Sequence, residues 1–197
     1  MIAEEQIKIV LVGNSGVGKT SILNWYQRNV QDTSPTIGAN CTDILVEING
    51  KKTNLNIWDT AGQLQFRDLM PLYFRDACVI LICFSAENQE SLDAVTDWDD
   101  LIVNRAPENV VKIVVCNKID LEQEPIPQNK LVSLQLEIGA AEVFRTSAVT
   151  GEGIDLIFDY IKNEGTIPRD RSYLPHLNDQ GDVIVPNGEG NNQKKCC

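Results

Sequence analysis

Six short runs rich in valine and isoleucine are spaced along the chain, and runs of this kind predict β-strands. The runs that begin at Cys78 and Val110 are continuously apolar except for Lys112, which is typical of strands covered on both faces, as in a parallel sheet between helices. A buried helix can show the same pattern, so these two runs alone leave both structures open. The predicted strands are IKIVLV from Ile7, ILVEI from Ile44, LNIW from Leu55, CVILICF from Cys78, VVKIVVC from Val110 and EVF from Glu142.

Helical patterns separate the later strands. Apolar residues recur at steps of three and four after Asn88, whose side chain suits a helix cap, and again after Pro127 and over Ile154 to Ile161. The other face of the first pattern carries Asp97, Asp99 and Asp100. We interpret these aspartates as a solvated helix surface and not as a metal site. Alternating strands and helices predict an α/β doubly wound domain, with ligands bound where strand C-termini meet helix N-termini.

The composition fits one globular domain with a tail. Of the 197 residues, 43% are hydrophobic and 23% charged, so the chain can bury a core and is too apolar to be wholly disordered. Its 17 lysines and arginines against 28 aspartates and glutamates give a net charge of -11, which argues against nucleic-acid binding. The periodicity stops near Thr166, where prolines, glycines and asparagines become frequent, so we predict a disordered tail over 166–197.

The cysteines and the first residues predict a cytosolic protein. Three of the six cysteines lie inside apolar runs and two are the last residues, which is not the pattern of a disulfide framework. The start, MIAEEQIKIV, lacks the basic and apolar regions of a signal peptide. The longest apolar run, Ala77 to Phe84, is too short to cross a bilayer.

A glycine-rich motif follows the first predicted strand. It matches the phosphate-binding loop G-x-x-x-x-G-K-[ST] in the required strand-to-helix position, over Gly13-Asn14-Ser15-Gly16-Val17-Gly18-Lys19-Thr20. The glycines let successive amides curl around a phosphate, Lys19 supplies charge to the β and γ oxygens, and Thr20 offers a hydroxyl to Mg²⁺. The alternative is a glycine-rich turn with a solvated lysine. This motif predicts a phosphate site and leaves the base open.

Two later motifs indicate the base. The first, Asp59-Thr60-Ala61-Gly62-Gln63, follows the third predicted strand, and the second, Asn117-Lys118-Ile119-Asp120, follows the fifth. Both lie at strand C-termini and therefore on one edge of the sheet. The Asp120 carboxylate can accept from guanine N1–H and the exocyclic amine together, whereas adenine offers no such pair of donors. Each aspartate alone could be a helix cap, so the prediction of guanine depends on the motifs occurring together.

In this order and spacing the motifs resemble those of the Ras-like small GTPases, and WDTAGQ around Asp59 is similar to the Rab branch. The resemblance covers residues 6–165 and implies a small G domain. Its fold is α/β, a six-stranded, mostly parallel sheet flanked by helices. It also implies that the nucleotide is bound by Ser15, Gly16, Val17, Gly18, Lys19, Thr20, Ser21, Gly62, Asn117, Lys118, Asp120, Ser147 and Ala148.

The resemblance further implies how GTP is hydrolysed to GDP. Thr20 and Thr36 are implied to bind Mg²⁺, and Asp59 to hold the ion through water. Gln63 is implied to orient the attacking water, while Lys19 and Thr36 reach the γ-phosphate. Such catalysis is positioning and charge stabilisation without a covalent intermediate, so we expect slow intrinsic hydrolysis. The sequence places no arginine finger in cis, which implies a GTPase-activating protein beside an exchange factor and effectors at the switch segments.

The segment between Lys19 and Thr36 is shorter than is usual in this family. The position of the family's base-stacking aromatic falls on Asn29, and we expect the nearby Trp25 and Tyr26 to face the core. Because base–aromatic stacking is worth ~1–3 kcal/mol, its loss predicts fast GDP exchange. The alternative function is therefore a fast-exchanging, mostly GTP-loaded effector-binding module with little regulated hydrolysis.

The last four residues are Lys194-Lys195-Cys196-Cys197. The C-a-a-X signal needs a cysteine where Lys194 stands, whereas a terminal Cys-Cys resembles the Rab prenylation signal. The resemblance thus implies lipid on Cys196 and Cys197, prenylation and extraction chaperones, and a lipid anchor on the cytoplasmic face of an intracellular membrane in vesicle traffic. The alternatives are two incidental thiols, or a Ras-like GTPase outside trafficking that is soluble and unprenylated.

Overall fold

The computed structural model describes residues 5–28, 36–63 and 68–169, and its strands form a single sheet. Within those ranges its strands are β1 (Glu5–Val12), β2 (Ala39–Ile48), β3 (Lys51–Thr60), β4 (Val79–Ser85), β5 (Val111–Asn117) and β6 (Glu142–Arg145). The order across the sheet is β2-β3-β1-β4-β5-β6, and only β2 and β3 pair antiparallel. Each predicted run overlaps one strand. The predicted six-stranded, mostly parallel sheet is confirmed.

Five helices flank the sheet in the described ranges. They are α1 (Lys19–Tyr26), α2 (Met70–Phe74), α3 (Gln89–Arg105), α4 (Gln128–Ile138) and α5 (Ile154–Asn163). The Asn88 side chain caps α3 as predicted, accepting from the backbone N–H of Ser91 at 2.9 Å. The sequence pattern did not predict α2, because five residues are too few to establish a helical period. In the described part of the chain no helix has both the length and the apolar character needed to span a membrane.

Apolar residues on both faces of the sheet form two cores. On β1, Ile9 and Leu11 pack with α1 and α5, whereas Val10 and Val12 pack with α2, α3 and α4. This alternation follows from the strand period of two. Each fully buried aliphatic side chain stabilises the fold by ~1.5–3 kcal/mol. With both faces covered by helices, the ends of the strands remain as the place for polar chemistry.

The interpretation of the α3 aspartates as a wholly solvated surface was wrong for Asp99. Lys112 Nζ of β5 lies 2.7 Å from Asp99 Oδ1, and the side chains of Lys112 and Asp99 are only 15% and 13% exposed. Helical periodicity predicts which face Asp99 occupies, but not that a long lysine side chain on a neighbouring strand reaches it.

Parallel pairing aligns the C-termini of the central strands. Leu11 of β1 is paired with Asp59 of β3, and Ser85 of β4 is paired with Asn117 of β5. The loops that follow β1, β3, β5 and β6 therefore leave the sheet at one edge. The segments that carry the predicted motifs meet there.

Candidate functional site

Lys19 is the first residue of α1, and its ammonium is buried under the loop that precedes the helix. Nζ donates to Gly13 O at 2.8 Å and to Asn14 O at 3.0 Å, and the residue is 6% exposed. Burial lowers the pKa of Lys19 from its ordinary value, and nearby Asp59 acts in the opposite direction. Both hydrogen-bond partners within the described residues are carbonyl oxygens. A buried cation of this kind is suited to an anionic ligand.

Three oxygen-bearing side chains from distant parts of the chain meet at the N-terminus of α1. Thr20 Oγ1 donates to Asp59 Oδ2 at 2.6 Å, and the hydroxyls of Thr20 and Thr36 lie 2.9 Å apart. Thr36 Oγ1 also lies 3.3 Å from Asp59 Oδ2. Burial raises the pKa of Asp59, while the hydrogen bond from Thr20 and the charge of Lys19 lower it. The structure thus brings together the three residues predicted to bind a metal.

One oxygen of the Asp59 carboxylate lacks a hydrogen-bond partner among the described residues. Asp59 is 1% exposed, and its Oδ1 is buried with no hydrogen-bond partner among the described residues. A buried carboxylate oxygen without a partner is costly, so an orphaned one points to a missing ligand. Hydroxyl and carboxylate oxygens are the donors that Mg²⁺ prefers, alone or through water. The residues present therefore fit Mg²⁺.

Gly62 touches the phosphate-binding loop. A Cβ built on Gly62 would lie 2.4 Å from Asn14 C and 2.5 Å from the carbonyl oxygens of Asn14 and Gly13. The chain after β3 therefore passes directly against the carbonyls that hold Lys19. Gln63 follows and is partly exposed. The predicted catalytic side chain accordingly starts beside the phosphate-binding loop.

Asn117 joins the phosphate-binding loop to the loop after β6. The side chain is at the end of β5 and is 1% exposed. Its Nδ2 donates to Val17 O at 2.9 Å, and its Oδ1 accepts from Thr146 Oγ1 at 3.0 Å. The next residue, Lys118, makes an ion pair of 2.9 Å with Glu87. Asn117 thereby links the phosphate end of the site to the base end.

Asp120 and Ser147 join the two loops predicted to read the base. Ser147 Oγ donates to Asp120 Oδ1 at 2.5 Å, and Ser147 is fully buried. The same hydroxyl accepts from the backbone N–H groups of Val149 and Thr150 at 3.2 and 3.1 Å. Ala148 lies next to this turn and is 7% exposed, whereas Asp120 is exposed. A carboxylate beside a backbone turn can serve a base that presents two donors and one acceptor.

Sequence reasoning missed an ion pair beside these loops. Arg145 Nη2 donates to Glu122 Oε2, and the side chains are 29% and 4% exposed. Arg145 precedes the loop after β6, and Glu122 follows Asp120 by two residues. No local signal predicts this pair, because Glu122 lies beyond the end of β5 and comes near Arg145 only through the pairing of β5 with β6. The pair holds the two base loops together.

The two rings near the end of α1 are both packed against the protein. Tyr26 stacks on Phe158 of α5 with 3.6 Å between ring centroids, which confirms that it faces the core. Trp25 packs against the same core cluster and against Gly151. Asn29, Cys196 and Cys197 lie outside the described residues.

The other predicted nucleotide-binding residues lie on the loop before α1 and on its first turn. Ser15 and Gly16 are exposed, and Val17 is 2% exposed. Gly18 and Ser21 are partly exposed. The exposed residues at the tip of the loop and the buried Lys19 thus lie together at the start of α1, and helix N-termini of this kind are suited to phosphate groups.

Comparison with known proteins gives consistent matches. The family model described as "Ras family" matches residues 8–166. The chain is 36% identical over 156 residues to Ras-related protein RABE1e of Arabidopsis thaliana, covering 77% of this chain and 71% of the relative. It is 37% identical over 159 residues to Ras-related protein Rab-5B of Plasmodium falciparum, covering 79% and 76%. It is 32% identical over 194 residues to GTP-binding protein ypt2 of Schizosaccharomyces pombe, covering 97% and 96%.

Proposed function

The chain belongs to the Ras family of small GTPases, in its Rab branch, and we propose that it is a Mg²⁺-dependent switch that binds GTP and GDP and controls vesicle traffic. The family makes it a GTPase, which hydrolyses GTP to GDP and phosphate. One observation carries the proposal. A buried lysine ammonium held by two carbonyls lies beside an aspartate, one buried oxygen of which has no partner among the described residues. Such a pair suits a phosphate and a divalent cation bound together.

The phosphate end of the site performs the hydrolysis in this proposal. Lys19 and the loop amides bind the β- and γ-phosphates, which orients the γ-phosphorus toward an attacking water. Gln63 orients that water, which bonds to the γ-phosphorus as the bond to the bridging oxygen breaks. Thr20, Thr36 and Asp59 would hold Mg²⁺, which neutralises charge on the phosphate oxygens when it is bound. Because this mechanism is positioning without covalent catalysis, intrinsic turnover is slow.

The base end of the site selects guanine in this proposal. Asp120 accepts from guanine N1–H and the exocyclic amine, and the backbone N–H of Ala148 donates to the guanine oxygen. The Ser147 hydroxyl holds the Asp120 carboxylate from one side through its 2.5 Å hydrogen bond. Asn117 connects this recognition to the phosphate-binding loop. Base and phosphates are therefore bound by one connected hydrogen-bond network.

Regulators and effectors are proposed to act at the two switch segments. Ile37 follows Thr36 and is 82% exposed, which leaves an apolar side chain available to a partner beside the γ-phosphate contact. A GTPase-activating protein would complete the charge stabilisation that the chain lacks, and an exchange factor would release GDP. Thr36 forms hydrogen bonds with Thr20 and Asp59. A change of nucleotide that breaks these bonds would move the segment around Thr36 and so change the surface that effectors contact.

Lipid attachment at Cys196 and Cys197 is proposed from the family resemblance of the Cys-Cys pair. Two chains give a stable anchor, since each buried CH₂ contributes ~0.8 kcal/mol, whereas one gives reversible binding. In cells, the wild type should pellet with membranes and carry the mass of two prenyl groups. A variant with both cysteines changed to serine should stay in the supernatant. Membrane association that is the same in the serine variant would refute the anchor and leave the GTPase proposal standing.

The nucleotide content of the purified protein is the first test of the proposed switch. We expect about one guanine nucleotide per chain, released by chelating Mg²⁺. In single-turnover assays, Gln63→Leu should lower GTP hydrolysis about tenfold or more, because the attacking water loses its orienting group while nucleotide binding is kept. Glu108→Gln, an exposed change before β5, serves as the control. Hydrolysis indifferent to Gln63 would favour an effector-binding module, and an empty protein would refute the proposal.

A further inference from the structure

Trp25 lies near the end of α1 and packs on the loop that follows β6. A Cβ built on Gly151 would lie 1.8 Å from Cζ2, 2.3 Å from Cε2 and 2.6 Å from Cη2 of Trp25. The six-membered ring of the indole therefore rests directly on the Gly151 backbone, and no side chain other than hydrogen fits there. Gly151 has a φ of 86°, which glycine adopts without strain.

The loop under the ring is closed on Ser147. The backbone N–H of Gly151 donates to Ser147 O at 2.8 Å, and that of Ser147 donates to Glu152 O at 3.0 Å. Ser147 Oγ in turn donates to Asp120 Oδ1 at 2.5 Å. A displacement of Gly151 is therefore transmitted through two hydrogen bonds to the carboxylate proposed to read the base.

Packing and a cation–π contact, not a hydrogen bond among the described residues, position the indole. Its Nε1 is buried and has no hydrogen-bond partner among the described residues. The Arg28 guanidinium lies 5.2 Å from the ring centroid, and Arg28 Nη2 lies 3.4 Å from Asp155 Oδ2 at the start of α5. These contacts keep the ring between α1 and the loop after β6. α1 thus begins with Lys19, which is proposed to bind the phosphates. Near its other end it carries Trp25, whose ring packs against the loop after β6.

We propose that Trp25 is a positioning residue for guanine recognition, which holds the Ser147–Ala148 turn in place and so slows the release of guanine nucleotide. This rests on the proposed function. The ring acts through Gly151 and Ser147 and contacts no reacting atom. A displacement of recognition groups by about 1 Å is enough to cost large factors in binding and rate. The position of an α1 side chain therefore tunes how long the nucleotide stays bound.

Release of labelled GDP from the full chain measures this role. Trp25→Ala should release GDP about tenfold faster than the wild type, a change that corresponds to about 1.4 kcal/mol. Trp25→Phe should recover most of the retention, because within the described ranges the indole N–H has no hydrogen-bond partner to lose. Gly151→Ala should accelerate release as well, since its Cβ drives the ring and the loop apart.

Gly50→Ala is the matched control. Gly50 has a φ of 78° in the turn between β2 and β3, and no described residue has an atom within 4 Å of a Cβ built there. This change imposes the same backbone strain without the ring contact. It should leave GDP release at the wild-type rate. In the double variant, Trp25→Ala should reduce the effect of Gly151→Ala, because the space occupied by the ring is then free.

Inosine diphosphate separates base positioning from general loosening. Inosine diphosphate lacks the exocyclic amine of GDP, so the wild-type protein should release inosine diphosphate faster than GDP. In Trp25→Ala the ratio of the two release rates should shrink toward one, because Asp120 no longer holds the position at which it accepts both donors. A ring that served only the core would accelerate both nucleotides equally.

Each outcome decides a different claim. Trp25→Ala and Gly151→Ala release rates within about twofold of the wild type would overturn the role of Trp25 and leave the GTPase switch standing. Equal acceleration of GDP and inosine diphosphate would overturn it too. Wild-type protein that binds no guanine nucleotide would overturn the proposed function, and the role of Trp25 with it. If Trp25→Ala does not fold, Gly151→Ala compared with Gly50→Ala gives the same decision.

Discussion

The substitution Asp120→Asn should change the base that the protein prefers from guanine to xanthine. The Asp120 carboxylate is proposed to accept two hydrogen bonds from guanine, and bonds to a charged group are worth ~1.5–3 kcal/mol each. The loss of both should weaken GDP binding by ~10²–10⁴-fold. Ser147 Oγ donates to Asp120 Oδ1, so in the variant the amide oxygen keeps that bond and the Nδ2 group faces the base. Xanthine presents a carbonyl where guanine has its amine, so the amide N–H can donate to it.

Competition against labelled GDP measures both the loss of guanine binding and the gain of xanthine binding. Xanthosine diphosphate should displace the label from Asp120→Asn and fail to do so from the wild type. Asp97→Asn removes one negative charge from the exposed side of α3 and should bind GDP as the wild type does. Undiminished GDP affinity in Asp120→Asn would place the base elsewhere. Loss of GDP without a gain for xanthosine diphosphate would mean that Ser147 does not orient the side chain.

Gly62→Ala should separate nucleotide binding from hydrolysis. The added Cβ would lie 2.4–2.5 Å from backbone atoms of Asn14 and Gly13, which cannot move without disturbing the carbonyls that hold Lys19. The less costly response is for the segment after β3 to withdraw, and Gln63 withdraws with it. A misplacement of about 1 Å costs about a hundredfold in rate, so we expect GTP hydrolysis to fall by that factor.

GDP retention and single-turnover hydrolysis should be measured on the same preparation. Retention should stay within a few-fold of the wild type, because Lys19, Asn117 and Asp120 are untouched. Gly165→Ala is the matched control, since no atom of the described residues lies within 4 Å of a Cβ built there, and it should change neither quantity. Hydrolysis at the wild-type rate in Gly62→Ala would contradict a close approach of Gly62 to the phosphate-binding loop during catalysis.

The strands and the longer helices could be predicted because their signals are local. Continuous apolar runs predicted the buried strands β4 and β5, and the cap at Asn88 with a three-and-four spacing predicted α3. α2 was missed because a helix of five residues carries too little periodicity. The long antiparallel β2 exceeded its predicted run because its N-terminal half is polar, and pairing with β3 defines its extent.

The candidate site could be predicted as a set of residue types and only partly as an arrangement. The phosphate-binding loop and the two aspartate motifs predict a guanine nucleotide only when they are taken together, because Lys19, Asp59 and Asp120 each have a structural alternative. Nothing local predicts that Arg145 pairs with Glu122, or that Asp99 pairs with Lys112. Those pairs depend on which strand neighbours which, and on the reach of a long side chain.

The sequence by itself determined the alternation of strands and helices, the family and the order of the motifs, because each of these depends on residues that are close together in the chain. Only the tertiary structure decided that Thr20, Thr36 and Asp59 share hydrogen bonds and that one Asp59 oxygen has no partner in the part of the chain that the structure describes. It also decided that Trp25 rests on Gly151. These contacts join segments far apart in the chain. Their distances follow from strand order, register and close packing, and no local pattern encodes those three properties.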